Sequence, residues 1–164
     1  MSKSIPELYI SVDIEASGPI PGEYSLLSIG ACVVSDTTRN FYCEIKPINN
    51  HFESEAMKVN SLIWEKLQLT GEPPAAAMAR FETWIKQTSI GYRPVFVAFN
   101  ATFDWMFTHW YFMKYLGSDP FGISGLDIKA YFAGKHKTSW SQTAKSKIKS
   151  IEQAEIFNQL VKSS

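Results

Sequence analysis

Cysteine is scarce in this chain of 164 residues: only Cys32 and Cys43 are present, with no Cys-x-x-Cys pair and only three histidines. That excludes a structural zinc site built from the usual Cys and His ligands. If the segment VVSDTTRNFY turns at Thr37–Thr38, the two cysteines come near one another across a hairpin. Two reduced thiols are nevertheless the expectation. Long hydrophobic runs are absent too. No stretch approaches the ~20 apolar residues of a membrane span, and MSKSIPELYI lacks the apolar centre of a signal peptide. No membrane contact and a cytoplasmic location are therefore expected. Charge of one sign is also missing, since 16 Lys and Arg balance 16 Asp and Glu. This argues against coating nucleic acid by bulk electrostatics, though it leaves room for a local basic patch.

What is present is apolar and aromatic residue in quantity, at 45% and 14% of the chain, enough to build one sizeable core in a single domain spanning 1–164. Three strand-like runs come first: LYISVDIE, LLSIGACVV and NFYCEIKP. Their short polar connections predict an antiparallel meander. ESEAMKVNSLIWEKLQ has helical spacing closed by Gly71, and PPAAAMARFETWIKQT follows as a second helix with proline at its start. PVFVAF reads as a strand covered on both faces. It leads through Asn100 into the aromatic helix ATFDWMFTHWYFMKYL, ended by Gly117. SGLDIKAYFAG predicts a short strand and a helical turn, and IEQAEIFNQLVK a last amphipathic helix. Strands first, then helices alternating with strands, predict an α/β fold: a mixed sheet with helices on its faces.

The segment YISVDIEASG carries the first chemistry. Side chains alternate along a strand, so Ile10, Val12 and Ile14 share one face while Ser11, Asp13 and Glu15 share the other. Two carboxylates at i and i+2 repel, and a cation between them relieves the repulsion. A solvated edge strand is the plainer explanation of the same pattern. The Ser-Gly-Pro turn that follows can bring backbone N–H groups near a ligand. The second element is VFVAFNATFD, where a buried strand ends at Asn100 and Asp104 falls in the first helical turn. Helix capping by Asn100 and a dipole-favoured acid explain these residues without a ligand. Ligands in open sheets, however, gather where strands end and helices begin. Asp104 can there join Asp13 and Glu15 around hard divalent ions, Mg²⁺ or Mn²⁺, which take oxygen ligands.

SVDIEASG followed by VAFNATFDWMF resembles the first two motifs of the four-carboxylate (DEDD-type) 3′–5′ exonucleases with a ribonuclease-H-like fold, the ribonuclease T-like and small exoribonuclease-like members in particular. The resemblance implies a mixed five-stranded sheet with helices on both faces. It implies removal of nucleotides from 3′ ends of RNA or short single-stranded oligonucleotides, RNA or DNA, with nucleoside monophosphate as product. It also implies two Mg²⁺ or Mn²⁺ ions held by the catalytic Asp13, Glu15 and Asp104, with Ser17, Gly18, Asn100 and Phe103 around the terminal nucleotide. Two such ions can activate a water and stabilise the leaving 3′-oxygen. Dimers are common among similar enzymes, so a homodimer is a further expectation. For Phe103, and for Trp64, Trp84, Trp105 and Trp110, a place in the core explains the residue as well as base stacking does.

One departure from the family stands out. Its third motif supplies a general-base His and a fourth Asp just before the last helix. Here SQTAKSKIKS runs straight into IEQAEIFNQL, and neither His136 nor Asp119, Asp127, Glu152 or Glu155 has the required spacing. About a loop's worth of residues is missing at the Ser150–Ile151 junction, which leaves a catalytically impaired nucleic-acid-binding module as the alternative. From Ile128 to Ser150 there are six lysines (129, 135, 137, 145, 147, 149) and no acid. Beside a metal site such a segment complements a phosphodiester backbone. A solvated charged loop is the other reading.

Overall fold

The computed structural model describes residues 5–148. The last predicted helix, the Ser150–Ile151 junction and Glu152 lie outside the described residues. Five strands form one mixed sheet: β1 (Glu7–Ala16), β2 (Leu26–Val33), β3 (Asp36–Glu44), β4 (Arg93–Ala98) and β5 (Gly125–Asp127). Their order is β3-β2-β1-β4-β5, with β1, β2 and β3 antiparallel and β4 and β5 parallel to β1. The helices are α1 (Ser54–Asn60), α2 (Trp64–Thr70), α3 (Pro74–Thr88), α4 (Ala101–Leu116), α5 (Ile128–His136) and α6 (Lys145–Ile148). Among the described residues no helix is long and apolar enough to cross a membrane.

Alternation along β1 decides what each face of the sheet does. Ile10, Val12 and Ile14 are buried as predicted and join Phe81 and Ile85 of α3 and Phe107, Tyr111 and Phe112 of α4 in the main core. Phe81 is the hub: its ring centroid lies 4.8 Å from that of Phe41 and 5.6 Å from that of Phe112. A smaller core of Val97, Ile128, Phe132 and Ile148 ties α5 and α6 to the other face. The strand pattern of period two and the helix pattern of period 3.6 thus meet in two layers on one sheet.

Two local expectations are corrected. The β2–β3 hairpin turns at Val34–Ser35, not Thr37–Thr38, because Val33 pairs with Asp36. Cys43 therefore faces Ile29 while Cys32 faces Asn40, an odd number of residues apart and so on opposite faces of the sheet. Both cysteines are free. The predicted single helix before Gly71 is two helices. Ser61 adopts a left-handed conformation (φ 57°), and the Asn60 side chain accepts the Leu62 N–H at 3.0 Å. This local turn competes with the helical hydrogen bonds and breaks the run.

Candidate active site at the ends of β1 and β4

β1 and β4 pair from Glu7↔Arg93 to Ser11↔Val97, and there the pairing ends. β1 runs on past its neighbour, so its next inward N–H needs another acceptor. Asp104, in the first turn of α4, supplies it: Oδ1 accepts the Ile14 N–H at 3.0 Å. That bond brings the helix carboxylate to the strand segment that carries Asp13 and Glu15. Asp104 is 6% exposed, whereas Asp13 is exposed and Glu15 half-buried.

The electrostatics show how closely the three are coupled. Burial, and then the charge of Asp13, push the Asp104 carboxyl up to about 7 against the stabilising bond from Ile14. Burial and Asp13 likewise raise Glu15. The Lys145 ammonium opposes the rise at both sites. A cluster of this kind binds protons or cations to relieve its own repulsion. Its donors are all carboxylate oxygens, which suit hard divalent ions. Among the described residues no three His, Cys, Asp or Glu side chains are set as a ready-made metal cage. The expectation of three carboxylates already at bridging distance is not met, as Asp104 Oδ1 is turned to the strand backbone.

A recess of about 390 Å³ opens beside Glu15 and is walled by Gly18, Pro19, Glu53, Val59 of α1 and Phe103 of α4. Gly18 and Phe103 thus stand where the terminal nucleotide was expected. Phe103 also packs on Phe107 at 5.3 Å, so the ring is half core and half wall. A Cβ on Gly18 would fall 2.2 Å from the Tyr24 ring, so only glycine permits this close approach. Ser17 does not line the recess. It is fully buried, its hydroxyl donating to the His51 carbonyl at 2.9 Å and accepting the Ser25 N–H at 2.8 Å. Those bonds hold the turn that presents Gly18.

Asn100 also differs from its expected capping role. It is left-handed (φ 66°, ψ 51°) and makes no side-chain cap. Asp127, at the end of β5, does that work for two helices. Its Oδ2 accepts the Ala101 N–H at the start of α4, and its Oδ1 accepts the Ala130 N–H of α5 at 2.7 Å. Sequence reasoning missed this residue; the signal was an acid directly before a helical run. Asn100 Oδ1 accepts instead from Lys129 Nζ at 3.3 Å. Two of the histidines are otherwise engaged: His109 Nδ1 lies 2.8 Å from Asp119, and His136 packs on Phe132.

No protein-family profile matches the chain. It is 46% identical to the 3′–5′ DNA exonuclease Cap18 of Escherichia coli over 152 residues, covering 92% of this chain and 81% of that enzyme. The fold is that of E. coli exonuclease I. The complex with a dT13 oligonucleotide has a TM-score of 0.63 at 16% identity over 79% of this chain, and the zinc-bound single-stranded DNA complex has 0.64 at 16% over 80%. This chain spans about 30% of the length of exonuclease I in either. With the Asp-x-Glu strand, the Asp104 helix and the Gly18 turn gathered at one end of a ribonuclease-H-like sheet, the chain belongs to the 3′–5′ exonuclease family of Cap18.

Proposed function

We propose that this protein removes nucleotides one at a time from the 3′ end of single-stranded DNA, releasing nucleoside monophosphates, with Asp13, Glu15 and Asp104 as ligands of two Mg²⁺ or Mn²⁺ ions. The observation that carries the reading is the Asp104–Ile14 bond, which fixes a buried, charge-coupled carboxylate against the Asp13–Glu15 strand. The relative's name favours DNA over the RNA that the motifs alone suggested. Bound among these carboxylates, the ions supply the positive charge that an in-line displacement at phosphorus needs. The chain's own residues do the rest. The recess beside Glu15 takes the terminal nucleoside, with the face of Phe103 as one wall. Gly18 lets the backbone approach closely, and Tyr24 holds that turn from behind.

The absent His and fourth Asp favour a second reading, a module that binds 3′ ends with little turnover. One assay separates the two. A 5′-labelled single-stranded oligonucleotide with Mn²⁺ should give a ladder shortened from its 3′ end. Binding without shortening would establish the second reading. Internal cuts in a circular single strand would refute both.

A further inference from the structure

The lysine-rich stretch from α5 to α6 is only partly explained by the site above. Three of its residues are placed by the structure in a continuous arrangement leading away from the carboxylates. Lys129, on the first turn of α5, reaches Asn100 Oδ1 at 3.3 Å, four residues before Asp104. The same ammonium lies 4.4 Å above the ring of Trp140. Trp140 is 57% exposed, an indole held by a cation on one face and open to solvent on much of its surface. Lys145 begins α6, whose Ile148 is anchored in the smaller core, and its ammonium stands 5.3 Å from the centroid of the Phe99 ring beside Asn100. Its charge is felt by both Glu15 and Asp104.

We infer that Lys145, Lys129 and Trp140 form an upstream subsite for the single strand: the lysines contact phosphates behind the terminal nucleotide, and a base stacks on Trp140. Resting on the exonuclease reading, this goes further in saying where the rest of the strand runs. Cations next to an exposed aromatic are the general solution for binding a single strand without reading its sequence. A Trp buried in the core would not serve, and Trp84, Trp105 and Trp110 all pack against the main core. The absence of any acid from 128 to 150 keeps this path free of charge that would repel phosphate. Each lysine that pairs with a phosphate releases a counterion, so its removal lowers the salt slope of single-strand binding by about 0.7.

The test uses the full chain carrying Asp13→Asn, which prevents hydrolysis, with 5′-fluorescein dT3 and dT12 in Mn²⁺, read by anisotropy. Adding Trp140→Ala should weaken dT12 binding about 5- to 20-fold and leave dT3 within twofold, and Trp140→Phe should restore most of the loss. Lys129→Ala should flatten the dependence of log K on log salt for dT12 but not for dT3. Equal loss on both lengths, or no loss on dT12, would overturn the subsite while leaving the exonuclease reading intact. Failure of the Asp13→Asn chain to bind either oligonucleotide, with no shortening by the unaltered chain, would overturn both.

Discussion

Asp104→Asn isolates the cost of holding a charge at the site. Asparagine keeps an oxygen to accept the Ile14 N–H and removes the ionisable group. In the folded chain, burial and Asp13 raise this carboxyl from 3.8 to about 7. The folded state thus holds the proton more tightly than the unfolded chain does. No cost arises below about pH 4, where both states are protonated. The penalty grows as pH rises and saturates above about pH 7. At 1.36 kcal/mol per tenfold change, the full penalty is about 4 kcal/mol, and relaxation around the group will reduce it. In EDTA at pH 8, Asp104→Asn should therefore melt about 5–10 °C higher than the unaltered chain, at roughly 2–4 °C per kcal/mol for a domain of this size. At pH 4 the two melts should coincide. Millimolar Mn²⁺ should raise the melt of the unaltered chain much more than that of the variant. Thermal unfolding followed by circular dichroism across this pH range measures all three. A variant no more stable than its parent at pH 8 would refute the reasoning, because Asp104 would then carry no buried charge.

Asp13→Ala should cut shortening of single-stranded DNA by more than about 100-fold, as loss of one ion ligand demands, without lowering the melting temperature, since it also relieves repulsion on Glu15 and Asp104. Asp127→Ala leaves two helix starts without their acceptor, so denaturant unfolding should show a loss of about 2 kcal/mol. Tyr111→Phe strips the acceptor from the buried Leu26 N–H, and the same assay should show a loss of about 1–3 kcal/mol with little change in activity.

The sheet was legible because β1 to β3 alternate cleanly and their connections are short; the strand that carries Asp13 and Glu15 has the faces its pattern implies. PVFVAF is covered as its apolar run implied, with Phe96 in the main core and Val97 in the smaller one. The break between α1 and α2 was not legible, as the apolar spacing continues through it while Asn60 and Ser61 turn the chain. In the site, Asp104 was found from its position after a buried strand, but its bond to Ile14 depends on where β4 stops pairing. That is a property of register, which no single segment encodes. Ser17 was misplaced for a related reason: in a turn, a hydroxyl can face the ligand or hold the loop, and the loop's own donors and acceptors decided it. Asp127 and Trp140 escaped notice because one acid before a helix and one tryptophan among lysines have no periodic signature.

The most direct test of the central claim is a titration of the chain with Mn²⁺ at pH 7.5, following the loss of the free-ion electron paramagnetic resonance signal. Saturable binding that Asp13→Ala and Asp104→Ala each weaken at least tenfold, and that Asp119→Ala leaves unchanged at the far end of the sheet, is the result predicted by a metal site at Asp13, Glu15 and Asp104. Binding that persists undiminished in the Asp13→Ala and Asp104→Ala chains, or no binding by the unaltered chain at millimolar Mn²⁺, would contradict it.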